Sequence, residues 1–163
     1  MGELVEKEVV ESRERIGSRS YYIEVRNLRR WIPAKGVRLC LLRVEETNAF
    51  GRYQTTWAGE MPFLRRDGEQ QALAPDLGAE IDYDLCSVTN MPDGPVLELH
   101  PVTRNFSAPT RWKQCRAKCA LTFQARSLLV DSNLLHIEIV WDGQWAKDAE
   151  EMARHLIVTK LPL

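Results

Sequence analysis

The sequence predicts a mainly β chain, an antiparallel β-sandwich of about seven to nine short strands with one short C-terminal helix. Three observations predict it. Apolar and polar residues alternate over short segments, which is the period of a half-buried strand. Turn signals built from Gly, Pro, Asp and Asn recur at short intervals between these segments. Helical spacing takes over once, near the C-terminus, whereas a βαβ fold would need helices between its strands.

Residues 1–17 are charge-rich, with Leu4, Val5, Val9, Val10 and Ile16 as their apolar members. They read as an N-terminal arm or a first edge strand, and residues 18–163 as the sandwich domain. From Ser18 the period becomes two: Tyr21, Ile23 and Val25 alternate with Tyr22, Glu24 and Arg26. A connection punctuated by Pro33 and Gly36 leads to a second strand at Val37–Glu45, with Cys40, Leu42 and Val44 expected on one face. Tyr53–Ala58 reads as a strand and Met61–Arg65 as another short one, ending at Arg65-Arg66 before Asp67-Gly68. Glu80–Val88 and Val96–His100 are expected to form a hairpin through Pro92-Asp93-Gly94-Pro95. Within Cys115–Arg126, Cys119, Leu121, Phe123 and Ala125 share a face, and Leu134–Trp141 alternates throughout. Beyond Asp142-Gly143, Trp145, Ala149, Met152 and Leu156 take helical spacing, so a helix is expected over 146–155. Leu156–Leu161 then ends as an extended tail.

A chain of 163 residues suits one domain, and it can bury a core without metal or disulfide staples. Basic residues number 22 and acidic residues 23. That balance creates no global field for nucleic acid or an anionic membrane. No apolar run is long enough to span a bilayer, and the charged residues at the start predict that no export segment is present. A cytoplasmic protein, or a soluble fragment of a longer one, is expected. In that setting Cys40, Cys86, Cys115 and Cys119 are expected to be free thiols.

Two segments carry a resemblance. One is Tyr21-Tyr22-Ile23-Glu24-Val25-Arg26-Asn27, followed by Ala34 and Val37–Val44. The other is Ile137-Glu138-Ile139-Val140-Trp141-Asp142-Gly143-Gln144-Trp145, followed by Glu151-Met152 and His155-Leu156. Together they resemble uncharacterised bacterial immunoglobulin-like domains. The resemblance implies an immunoglobulin-like sandwich from about Ser18 onward and no catalytic residues. The Cys…Trp…Cys spacing of antibody domains is missing from the sequence.

The candidate sites are few. Arg104, Arg111, Lys113, Arg116 and Lys118 are interleaved with Phe106 and Trp112, and Arg29, Arg30 and Trp31 repeat the basic-aromatic pairing in another loop. Such residues hold phosphates and stack bases, or they lie solvated while the tryptophans pack on the core. If both loops lie at one end of the sandwich, Arg29, Arg30, Trp31, Arg104, Arg111, Trp112 and Lys113 form one rim. Glu80, Asp82 and Asp84 make an acidic stripe on one strand face, about 7 Å apart. Paired acids of a hydrolase have such separations, but a solvated face explains the alternation equally. Cys115 and Cys119 would bracket a zinc ion on a helix and lie too far apart on a strand. Cys40 and Cys119 are expected to face the core from opposite sheets. Trp141 and Trp145 read as core anchors between sheet and helix. The three histidines are isolated, and no phosphate-cradling loop or nucleophile elbow is present.

A non-enzymatic binding domain with a protein partner and no cofactor is therefore the leading expectation. A nucleic-acid or nucleotide binder comes second, and a metal-dependent hydrolase third. A homodimer through the Tyr53–Ala58 edge is a further expectation.

Overall fold

A computed structural model describes residues 17–27, 34–65, 80–102, 108–113, 115–128 and 131–162. The expected arm at 1–16 lies outside the described residues. Among these described residues there are nine strands and one helix: β1 (Ser18–Arg26), β2 (Arg38–Thr47), β3 (Tyr53–Pro62), β4 (Glu80–Met91), β5 (Gly94–Leu99), β6 (Arg111–Lys113), β7 (Ala117–Arg126), β8 (Leu135–Trp141), α1 (Ala149–His155) and β9 (Leu156–Leu161). They form two antiparallel sheets, one in the order β1-β4-β5-β6 and one in the order β3-β2-β7-β8-β9. The mainly β sandwich with a short late helix is thus observed.

The alternation read from the sequence becomes the burial pattern. In β8, Leu135, Ile137, Ile139 and Trp141 are buried and the residues between them half-exposed. In β7, Cys119, Leu121, Phe123 and Ala125 all reach the core. One apolar core joins the inner faces of both sheets. Phe63 and Phe123 meet edge to face there, with centroids 5.1 Å apart and rings at 87°, the arrangement the ring quadrupoles favour. The β4–β5 hairpin pairs Met91 with Gly94 across Pro92-Asp93, and Gly94 takes a φ of 108°, open to glycine at no steric cost.

Three strand expectations need correction. β2 does not put Cys40, Leu42 and Val44 on one face. Its register against both neighbours shifts between Leu41 and Arg43, so Leu42 is an extra residue and the alternation inverts there. Leu39, Leu41 and Val44 face the core as a result. Met61–Arg65 is not a separate strand. Met61 and Pro62 end β3, and the next three residues cross between the sheets. Phe63 N–H donates to Leu39 O at 2.9 Å on one sheet, while Leu64 O accepts from Asp84 N–H at 2.8 Å on the other. Finally, Leu156–Leu161 is a full strand, β9, paired to β8.

The helix starts later than its apolar spacing suggested. Asp148 is the N-cap, its Oδ1 accepting from Glu151 N–H at 3.0 Å. Ala146 and Lys147 instead take part in tertiary bonds. Arg19, on the inner face of β1 and 4% exposed, donates from Nε to Ala146 O at 3.1 Å and from Nη2 to Lys147 O. An Asp148→Ala variant is expected to lose about 1 kcal/mol, the usual worth of an N-cap, read as a small fall in Tm by calorimetry.

Candidate functional site

The long connections leave the sandwich at one end. Antiparallel pairing fixes the direction of each strand, and bonds between the sheets align the two sets of ends. Tyr83 Oη donates to Val37 O at 3.1 Å, and Leu64 N–H donates to His100 O at 3.2 Å. The connections 27–37, 63–79, 100–110 and 127–134 therefore begin and finish at this loop end. The opposite end is closed by 48–52, by 92–93, by 114–116 and by the 142–148 segment with α1. There Asn48 Oδ1 accepts from Phe50 and Arg52 N–H at 2.9 and 3.1 Å, a compact side-chain turn.

This topology locates the sequence candidates. Arg29, Arg30 and Trp31 fall in the 27–37 connection and Arg104 in 100–110, so both belong to connections of the loop end. These four residues themselves lie outside the described ones. Arg111, Trp112 and Lys113 form β6, an outer strand of the four-stranded sheet. Strand alternation separates them. Arg111 and Lys113 are exposed, while Trp112 is 9% exposed and belongs to the core. Its Nε1–H donates across the sandwich to Glu46 Oε1 at 3.0 Å. A base stacking on this ring would have to displace the core first. Arg111 and Lys113 instead flank a notch of about 50 Å³ lined also by Met91, Asp93, Gly94 and Val96.

The remaining candidates scatter. Asp82 stands opposite Glu24 of β1 and Asp84 opposite Tyr22. Glu24 is buried and ion-paired to Arg26, so the acidic stripe adjoins a strand that brings a further carboxylate with its own cation. Among the described residues, no three His, Cys, Asp or Glu side chains are placed to hold a metal ion. Cys115 is exposed and precedes β7, whereas Cys119 is buried within it. His100 bonds Ser87 Oγ at 2.8 Å, His136 bonds Thr122 Oγ1 at 3.0 Å, and His155 bonds Asp142 Oδ2 at 2.7 Å. Each histidine is engaged in its own neighbourhood, and the described residues do not bring them together.

The expected placement of Cys40 and Cys119 on opposite sheets is wrong. β2 and β7 are neighbours in one sheet, with Cys40 aligned to Gln124 and Cys119 to Glu46. The thiol that shares the inter-sheet space with Cys119 is Cys86 of β4. Burial, and then the field of Cys119, pushes the Cys86 thiol far up. Burial pushes Cys119 up to about 12 and, with Glu60 beside it, Cys40 up to about 11. These protons stay on at neutral pH, so the three buried thiols are poor nucleophiles. Iodoacetamide at pH 8 is expected to modify the exposed Cys115 alone in the native protein and all four cysteines in denaturant, counted by mass spectrometry. The raised Cys40 value also sets a sign. Above the ordinary thiol value of 9.0 the unfolded chain releases this proton while the folded chain keeps it. Stability is expected to fall as pH rises from about 9 to about 11.

Tyr53, on the outer face of β3, carries a strongly held phenolic proton. Burial, and then donation from its hydroxyl to Glu138 Oε1, raises its pKa. Lys118 Nζ lies 5.8 Å from the ring centroid. The residue locks the outer strand across the sheet rather than forming a reactive group. No helix of the described residues is long and apolar enough to cross a membrane. Compared with known family models, with curated proteins and with solved structures, the chain gives no match.

Proposed function

We propose that this domain is a non-enzymatic binding module whose partner is a protein, engaged through the loop end of an immunoglobulin-like sandwich. One observation carries the reading: the four long connections share one end, and tight turns and α1 close the other. Binding residues concentrate on loops held by a rigid frame. The residue types fit as well. Arg29, Arg30, Trp31 and Arg104 belong to this end by sequence, and Arg and Trp are the side chains that dominate interface energetics. The order β3-β2-β7-β8 matches one sheet of an immunoglobulin variable-type sandwich, with β4 joined directly to β1 as a departure in the other.

A photo-crosslinking amino acid at position 31 or 104, expressed in the native cell, tests this. Discrete protein adducts are expected from these positions, lost when Arg30 is changed to alanine, with none from position 50 at the turn end. Adducts from position 50 alone, or none from 31 and 104, contradict it.

A second reading, a nucleic-acid binder, is favoured by one fact. Arg29, Arg30 and Trp31 of one basic-aromatic segment and Arg104 of the other fall in connections of the same end. It predicts adducts to RNA or DNA instead of protein, and affinity falling steeply with salt. Burial of Trp112 and the net charge of −1 place it second.

A further inference from the structure

We infer that β6 is a second docking surface, an outer strand that receives an extended acidic segment of a partner protein. The inference goes beyond the loop-end reading and concerns a different face. β6 hydrogen-bonds to β5 alone among the described strands. An outer strand presents backbone N–H and C=O groups that an added strand satisfies. Arg111 and Lys113 point to the outer face and are exposed, and neither has an ion-pair partner among the described residues. Trp112 between them is turned inward and held by Glu46. The surface is therefore a pair of cations with no aromatic platform, with Glu98 of β5 aligned to Arg111 on its inner flank, and its free flank suits carboxylates better than bases.

Spacing defines the partner further. Arg111 and Lys113 are two residues apart on one strand, about 7 Å. An extended peptide with acids at alternate positions repeats that distance, so two carboxylates meet two cations as cross-strand pairs. The notch beside them holds about 50 Å³. That is far below the roughly 300 Å³ of a small-molecule pocket, so it takes one small side chain of a chain segment. Its lining is apolar at Val96, which is buried, and at Met91, which is 42% exposed. Asp93 stands on the same rim and opposes an acidic ligand, so it provides a sign test.

The test is an NMR titration of the ¹⁵N-labelled full chain at low ionic strength. The probe is an acetylated, amidated Glu-Ala-Glu-Ala-Glu pentapeptide. Shifts confined to Met91–Val96 and Arg111–Lys113 are expected. The double change Arg111→Gln and Lys113→Gln should weaken binding about tenfold, and Asp93→Asn should tighten it about twofold, as exposed charge pairs allow. All three side chains are exposed, so each variant's unperturbed spectrum verifies its fold. No shifts, shifts only around the loop end, or equal or tighter binding of a thymidine pentanucleotide would overturn the inference. Arg30→Ala should leave this titration unchanged. The β6 double variant should likewise leave the loop-end crosslinks in place, so the two proposals fail separately.

Discussion

Changing Trp141 to alanine is expected to cost about 3–5 kcal/mol, the range for a large aromatic deleted from a core. Trp141 is 1% exposed and among the largest fully buried side chains. It ends β8, where it is aligned with Ala117 of β7 and Leu156 of β9. Its Nε1–H donates to Gln144 O at 2.7 Å, fixing the segment that leads to α1. Next along that segment, Ala146 N–H points at Met152 Sδ at 3.3 Å, and Met152 is wholly buried. The indole thus supports a strand, a turn and the seat of the helix together. A chain of this size loses roughly 2–4 °C of Tm per kcal/mol, so calorimetry should show a fall of roughly 6–20 °C. Trp141→Phe keeps most of the volume and loses the hydrogen bond, so its cost should be much smaller.

Phe123→Ala is expected to have a comparable cost, about 3–5 kcal/mol. Phe123 is fully buried in β7 and stacks edge to face on Phe63. Phe63 sits in the segment that crosses from one sheet to the other, bridging Pro101 while its N–H reaches Leu39 O. Removing the ring therefore leaves a cavity where the two sheets are joined, next to the loop end. Urea unfolding should show a lower midpoint with the slope preserved, and Phe123→Leu should recover much of the loss. Hydrogen exchange at Phe63–Arg65 should quicken in Phe123→Ala and stay slow in Trp141→Ala, because the two rings brace opposite ends.

Much of this frame was legible because one force writes both pattern and structure. Where one strand face is buried and the other solvated, apolar residues must alternate, as in β8 and in Tyr21–Val25. The failures share a cause too. The bulge at Leu42 inverts the faces of β2, and a bulge leaves no compositional mark when Leu39, Leu41 and Leu42 are all apolar. Sheet membership was invisible for the same reason. Cys40 and Cys119 look equally core-like in sequence, but partnership depends on long-range pairing, which placed both in one sheet and Cys86 opposite. The late start of α1 follows from tertiary bonds, since Arg19 holds the Ala146 and Lys147 carbonyls.

The candidate site was legible as composition and not as orientation. The basic-aromatic interleaving around Trp112 suggested one mixed surface. Strand period two then sends Trp112 inward and Arg111 and Lys113 outward, so the mixture separates into a core anchor and a cation pair. That separation was available from the Arg-Trp-Lys alternation, had 111–113 been read as strand rather than loop. The notch was not readable at all, because it joins the β4–β5 turn to β6 through pairing alone.

The most direct test of the central claim is hydrogen-exchange mass spectrometry of the chain, free and bound to the protein captured from position 31. Slowed exchange is expected at the flanks of the loop-end connections: Asn27, Ala34–Val37, Val102, Ala108 and Thr110. Exchange at 48–52 and at Asp93 should be unchanged. Protection confined to the turn end, or no change at the loop-end flanks, would contradict the account.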